Sequence, residues 1–377
     1  MKIAFDLRRI KNPGIGRYMK CLVEAVLKQA PQHEYLLIMP PGAEDLLQSE
    51  APNVTWILSE AKYYSIWEQF ALPGILRRHK VDLLHSPHFL LPLMHPCPAV
   101  ATIHDVIYLA CKDDLPSRVG RLYYHGMMLA AVRWAEMVIT DSEFSKRDII
   151  SRLNAPGEKI KVIYPGVDPR FAPVSDPERL KQVRSRYGIQ DRFVLYTGIY
   201  KLRKNHAALL RAFRVFLDSG GRGQLVLAGP MEEGKRVLRR IAAGLGIEKN
   251  LVFPGFVPDE DLPALYSAAR VYACPSLYEG FGFTVLEAMA CGTPVVCSRM
   301  TSLLEVGGSA ALYTDVQDPR RFAEALLLAF SNEDERHGLI EEGREHAKSF
   351  TWERTAAQTL EIYHSATEGF TEKAASA

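Results

Sequence analysis

The sequence lacks any uninterrupted apolar stretch of the roughly 18 residues that a membrane-spanning helix needs. Spanning helices are therefore excluded, while contact with a membrane surface stays open. The first residues, MKIAFDLRR, bring in charge before an apolar signal core can form, so no export signal is expected. Cysteine is sparse: the thiols at 21, 97, 111, 274, 291 and 297 have neither the paired spacing of a metal site nor the density of a disulfide scaffold. A reducing cytoplasm is the expected location. Charge of one sign is also missing, because a net charge of +2 is spread over interspersed acids and bases. That distribution excludes the electrostatic footprint of a nucleic-acid binder.

What the chain does contain is ample apolar material, with 47% hydrophobic residues over 377 positions, enough for two packed cores rather than one. Short apolar runs alternate with amphipathic stretches, which predicts an α/β fold built on doubly wound parallel sheets. The strand candidates of the first half are residues 2–7, 34–39, 53–58, 81–86, 99–105, 137–142 and 161–166. Those of the second half are 192–198, 224–229, 250–255, 269–276, 293–298 and 310–315. Between the two series, residues 167–192 carry three prolines and many charges, and a linker is placed there. The reading is two Rossmann-like domains, residues 1–168 and 169–352. In such sheets ligands collect at the carboxyl ends of strands where the winding reverses.

One segment concentrates chemistry. After the predicted strand ARVYACPS comes LYEGFGFTVLEAMACGTPVV, a glycine-containing loop leading into a helix over about 283–291. Gly280 and Gly282 allow a tight turn close to a ligand, and the amides of 281–284 open a helix whose dipole favours an anion such as phosphate. The helix is apolar nearly all round, which predicts burial, yet Glu287 interrupts it. A buried carboxylate needs donors, and sugar hydroxyls would serve. Glu279 sits ahead of the helix, at an exposed strand end. A purely structural reading remains, in which Glu279 complements the dipole and Glu287 pairs with an arginine.

The segment EGFGFTVLEAMACGTPVV resembles the signature of family 4 glycosyltransferases. GIGRY, TIHD, DSEFSKRDI, IYPGVD, RKN, VFPGFVPDEDLPALYSAARV and SLLEVGG extend the resemblance over most of the chain, which is similar to bacterial hexosyl- and mannosyltransferases of surface polysaccharide assembly. It implies a GT-B fold of two Rossmann-like domains facing across a cleft, acceptor in the N-terminal one and nucleotide-sugar in the C-terminal one, with retention of anomeric configuration. It further implies that Glu279 contacts the transferred sugar, that Glu287 holds ribose hydroxyls, and that the amides of Phe281, Gly282 and Phe283 line sugar and phosphates. Gly16 would lie beside the donor phosphate. SFTWERTAAQTLEIYHSA resembles the last helix of the family, so residues 353–370 are expected to cross back to the N-terminal domain.

Other residues fit this chemistry. Arg203 and Lys204 follow the first strand of the second domain, where both could reach phosphate oxygens, although solvated bases at a helix start would look the same. Ile199 stands where many family members have an arginine, and Lys204 is the stronger candidate of the pair. Gly14 and Gly16 begin a dinucleotide-like pattern that Met19 breaks, so a plain tight turn is equally consistent, and Arg17 could assist. His104 closes the strand AVATIHD and could contact the transferring sugar, or be a satisfied histidine near the core. His85 and His88 are weaker candidates. Asp259 is expected to cap the helix that follows rather than to begin a metal-binding Asp-x-Asp motif, and no metal or cofactor is expected.

The expected reaction moves a hexose, with GDP-mannose the expected donor and UDP-sugars the alternative, to a saccharide or polyprenyl-diphosphate-linked saccharide. Glu279, His104 and Lys204 are its candidate catalytic groups. The segment 167–192 is expected to act as a hinge. Residues 63–80 and 118–134 mix aromatics with Arg and Lys, a composition that can dock on anionic lipid at the inner face of the cell membrane or simply belong to core-facing helices with snorkelling bases. Two rival readings are a nicotinamide-dependent oxidoreductase, which lacks its full glycine fingerprint, and a binding partner without turnover.

Overall fold

The computed structural model describes residues 1–376 apart from 48, 50, 62–64, 66 and 116, with side chains described to residue 370. Tyr63, Tyr64 and Ile66, part of the first aromatic–basic stretch, lie outside the described residues. The first series of elements is β1 (Lys2–Asp6), α1 (Ile15–Gln29), β2 (Glu34–Met39), β3 (Val54–Leu58), α2 (Glu68–Arg78), β4 (Leu83–Ser86), β5 (Ala99–Thr102), α3 (Ile107–Ala110), α4 (Arg118–Trp134), β6 (Met137–Thr140), α5 (Glu143–Leu153) and β7 (Ile160–Val162). The second is α6 (Pro177–Tyr187), β8 (Phe193–Thr197), α7 (His206–Asp218), β9 (Gln224–Ala228), α8 (Glu232–Leu245), β10 (Leu251–Gly255), α9 (Leu262–Ala268), β11 (Val271–Cys274), α10 (Phe283–Ala290), β12 (Val295–Ser298), α11 (Leu303–Gly307), β13 (Ala311–Thr314), α12 (Pro319–Ser331) and α13 (Glu333–Ala347), and α14 (Trp352–Ser376) ends the chain.

The chain forms two compact units, one of residues 1–166 with 351–377 and one of residues 167–350. The expected linker is therefore corrected: residues 167–192 belong wholly to the second unit. Their prolines and charges serve a helix. Asp176 caps α6, accepting from the Glu178 N–H at 3.0 Å, Pro177 occupies the first turn, and Gly188 closes the helix with φ +66°. Arg179, Arg186 and Tyr187 then all donate to the buried carboxylate of Asp261, each at 2.6 Å, which fastens α6 to the start of α9.

In the first unit seven parallel strands run in the order β3-β2-β1-β4-β5-β6-β7. The winding reverses between β1 and β4. Apolar side chains from α2, α4 and α5 share one core with the strands, including Leu72, Leu76, Tyr124, Met128 and Ile149. The last helix, α14, packs against α1 and completes this unit rather than the one that precedes it in sequence. It inserts Tyr363, whose hydroxyl lies 2.6 Å from Nδ1 of the buried His85, while Nε2 of that ring lies 2.9 Å from Thr102 Oγ1. In the second unit six parallel strands run β10-β9-β8-β11-β12-β13, with the reversal between β8 and β11.

Burial pushes the His85 pKa from 6.5 down to about 3, with His104 adding to the effect, so the ring is neutral in the folded protein near pH 7. A depressed folded value means that stability is fully present above pH 6.5 and is lost as pH falls toward 3. Tyr363→Phe leaves a buried imidazole nitrogen without its hydroxyl and is expected to cost about 1–3 kcal/mol in urea unfolding at neutral pH.

Candidate active site

The reversal between β8 and β11 sets the loops that follow these two strands side by side. The loop after β8 contains a short 3-10 turn, Leu202–Lys204, and the Leu277 N–H from the other loop donates to the Arg203 carbonyl at 2.7 Å. Across this seam Lys204 Nζ meets Glu279 Oε1 at 2.6 Å, and Arg203 Nη1 lies 3.7 Å from Glu279 Oε2 and 3.3 Å from the Tyr278 carbonyl. The Glu279 side chain is only 12% exposed, so the expectation of an exposed strand end is corrected. Burial opposes its ionisation, but Lys204 and Arg203 outweigh that and hold its carboxyl below the usual carboxylate range.

The backbone around Glu279 is pinned from the turn after β12. The Glu279 N–H donates to Thr301 Oγ1 at 3.1 Å, and the Ser302 hydroxyl lies 2.9 Å from the Glu279 carbonyl and 2.7 Å from that of Phe281. Gly282 then turns the chain at φ +116°, where a side chain would be strained and its Cβ would sit 2.9 Å from Leu303. α10 opens directly after it, with the amides of Phe283 and Thr284 in the first turn, where helical geometry offers no intrahelical acceptor. Gly280 and Phe281 are buried beside them.

On α10, Glu287 is 4% exposed and accepts from the Tyr266 hydroxyl at 2.9 Å. A carboxylate only accepts, so Tyr266 must be the donor there, and Thr197 Oγ1, 2.7 Å away, donates in turn to Tyr266. Tyr272 continues the relay with its hydroxyl 3.3 Å from Thr197 Oγ1. Burial first, and then the Glu287 charge, push the Tyr266 pKa far above its usual value, which keeps this donor protonated. The relay runs from β8 through α9 to α10 and fixes the Glu287 carboxylate.

In the first unit His104 follows β5 and faces Asp141, which follows β6. Nδ1 lies 2.7 Å from Asp141 Oδ2 and Nε2 lies 3.2 Å from the Pro87 carbonyl. Both partners are acceptors, an arrangement that suits a proton on each ring nitrogen. Burial alone would depress its pKa, but Asp141 outweighs burial and the displacement is upward. The Tyr18 ring stands edge-on to it, centroids 4.7 Å apart. His85 holds α14 and His88 is buried against the ring of Phe89, so neither is placed as a reacting group.

Gly16 acquires a packing reason: a Cβ there would lie 1.9 Å from the Ile10 carbonyl oxygen, and its N–H already donates to Asn12 at 2.7 Å. Asp259 is corrected as a cap. The helical stretch LPALYSAAR begins at Leu262 as expected, but Asp261 and not Asp259 stands at the N-cap position of α9, with Pro263 in the first turn. A start after Asp259 would move Pro263 inward, where its missing N–H is costly. Asp259 instead pairs with Arg170 at 2.7 Å. The sequence reading missed Asp141, Tyr266, Thr301 and Ser302 as site residues. Polar residues just past strand ends were the available signal for Asp141, but no sequence spacing links Tyr266 to Glu287.

Residues 13–171 match the family model Glycosyltransferase Family 4, and residues 181–346 match Glycosyl transferases group 1. O-antigen chain mannosyltransferase B of Escherichia coli is 32% identical over 96% of this chain and 99% of its own length. Serotype-specific mannosyltransferase WbdA of the same species is 32% identical over 73% of this chain, which spans only 34% of that longer protein. Among solved structures, sucrose-phosphate synthase from Thermosynechococcus elongatus superposes with a TM-score of 0.79 at 22% identity, over 98% of this chain and all of that one. Anabaena HepE in complex with UDP-glucose superposes with a TM-score of 0.76 at 20% identity, over 96% of this chain and all of that one. These likenesses identify the fold as GT-B and the chemistry as glycosyl transfer, which displaces the oxidoreductase and the binding partner without turnover. The chain belongs to the family 4 glycosyltransferases.

Proposed function

We propose that the protein is a retaining mannosyltransferase that uses GDP-mannose, with UDP-sugars the alternative donors, and acts on a saccharide or polyprenyl-diphosphate-linked saccharide. The observation that carries the donor site is the carboxylate of Glu279 held between Lys204 and Arg203 where the sheet of the second unit reverses. The mannosyl assignment leans on the similarity to O-antigen chain mannosyltransferase B. Glu287 accepts from the ribose hydroxyls. Lys204, Arg203 and the first amides of α10 offset the charge that builds on the departing diphosphate, so the scheme needs neither metal nor cofactor. In the free protein Lys204 is already neutralised by Glu279, so a diphosphate must draw the ammonium away and leave Glu279 available to the sugar.

The first unit contributes His104 to this scheme. His104, held as an imidazolium by Asp141, donates to a hydroxyl of the transferred sugar and steadies charge in the transition state. The acceptor proton passes to the departing phosphate on the same face of the sugar, which retains configuration.

Nucleoside diphosphate release with a panel of nucleotide-sugars tests the donor, and NMR of the product's anomeric proton tests retention. GDP release from GDP-mannose and an α-linked product are expected, and a β-linked product would overturn the mechanism. Glu279→Gln is expected to lower kcat roughly 100-fold or more with little change in donor Kd. Tyr266→Phe removes the donor that orients Glu287, so the donor KM is expected to rise roughly 5- to 15-fold with kcat nearly kept. His104 beside Asp141 has a raised folded pKa, so the stabilisation is fully present below pH 6.5 and is lost as pH climbs through the folded value of the histidine. The loss of stability in Asp141→Asn, about 1.5–3 kcal/mol at pH 6, should shrink on going to pH 9 in denaturant titrations.

A further inference from the structure

β12 ends at Ser298, and the segment from Ser298 to Ser302 carries three hydroxyl groups. Each of them holds main chain of the loop after β11. The Ser298 hydroxyl donates to the Ser276 carbonyl, and Thr301 Oγ1 accepts from the Glu279 N–H at 3.1 Å. The Ser302 hydroxyl meets the carbonyls of Glu279 and Phe281 at 2.9 and 2.7 Å. Ser298 and Ser302 are fully buried. The main-chain groups that they and Thr301 hold lie along residues 276–281, a stretch with no helix or strand of its own, so its polar groups need partners from elsewhere in the fold.

The middle hydroxyl is placed at the cost of strain. The Leu303 N–H donates to the Met300 carbonyl at 3.2 Å and closes a four-residue turn. Thr301 takes its first central position with φ +56°, and Ser302 the second with φ −70° and ψ −13°. Glycine is the residue that such a first central position favours. Among the described residues the other non-glycine positions of positive φ are Lys80, Asn154 and Asn205, so Thr301 is the one β-branched side chain there. A branched Cβ is crowded at this φ. Glycine would take the same turn freely, and what glycine lacks is the oxygen that receives the Glu279 N–H.

We propose that the segment from Ser298 to Ser302 is a template for the main chain at Glu279, and that Thr301 is a positioning residue kept in a strained turn for its hydroxyl. With the N–H and the carbonyl of Glu279 both held, its side chain leaves the backbone in one direction, toward Lys204 and Arg203. The hold does not depend on those cations. When a diphosphate draws Lys204 away, the carboxylate keeps its place for the sugar. That consequence rests on the proposed role of Glu279 in transfer, while the hold on its main chain does not.

Three variants separate the hydroxyl from the strain. Thr301→Ser keeps the hydroxyl and drops the methyl, Thr301→Val keeps the crowding and drops the hydroxyl, and Thr301→Gly drops both and relaxes the turn. The serine variant is expected to keep kcat within about twofold, and the other two to lose it roughly 10- to 100-fold, with donor Kd within about twofold throughout. The unfolding midpoint of the glycine variant should equal or exceed that of the parent, since its turn is unstrained. A merely structural threonine predicts instead that activity follows the midpoint and that Thr301→Gly is fully active. Amide hydrogen exchange needs no turnover: at Glu279 it should quicken roughly 5- to 10-fold in the glycine and valine variants and stay unchanged in the serine one. If the parent releases no nucleoside diphosphate from any donor, the transferase reading fails, and the exchange series still decides the positioning. Parent kcat in Thr301→Gly, a serine variant as slow as the valine one, or unaltered exchange in both variants without the hydroxyl would each overturn the proposal.

Discussion

A charge kept ionised in a largely apolar setting must be surrounded by partners that come from elsewhere in the chain, and the Lys204–Glu279–Arg203 cluster is such a charge. Removing one member of a buried pair costs about 3–5 kcal/mol, because the survivor is left uncompensated. The partners reach Glu279 only because β8 and β11 are adjacent at the reversal of the second sheet, so the ion cluster and the strand order enforce each other. From that seam the rest follows. The loop after β11 must turn at Gly282, α10 must open there, and Glu287 is then carried one helical face along to meet Tyr266.

The first unit solves a related problem with a different charge. At its carboxyl edge the ring of His104 is held by Asp141, and farther along the same sheet the buried guanidinium of Arg8 is balanced by Asp6 at 2.8 Å and Glu68 at 3.3 Å. In each case the acid sits at or next to a strand or helix end, where the main chain no longer needs the space for ladder hydrogen bonds. Each unit thus holds a polar cluster at its strand ends, Lys204–Glu279–Arg203 in one and His104–Asp141 in the other.

The strands were readable because a buried parallel strand is a short apolar run between turn residues, and all of the proposed runs but one contain a whole strand: EYLLIM is β2, TPVVCS contains β12, and only the run 161–166 is offset, β7 starting one residue before it. The helix placed at 283–291 ends one residue earlier. The glycine loop and its two glutamates were readable because their residue types are unusual in so apolar a stretch. What could not be read was pairing at a distance. Lys204 and Glu279 are 75 residues apart, and His104 and Asp141 are 37 apart, separations that carry no periodic signal. The stretch 167–192 misled because the same prolines and charges that mark a linker also build a capped, polar-faced helix. α4 was ambiguous for a third reason: with apolar residues on both faces, the pattern does not say which face the core takes.

The chain leaves the first unit after residue 166 and comes back to it at residue 351. Topologically, the second unit is an insertion in the first. On the ribosome its contiguous segment can collapse and close its own core as soon as it emerges, whereas the first seven strands wait with one flank uncovered. The hydroxyl of Tyr363 reaches His85, and the indole of Trp352 reaches the Tyr18 ring at 5.6 Å, only when the final helix has been made. The part of the protein synthesised earliest is therefore the part completed last.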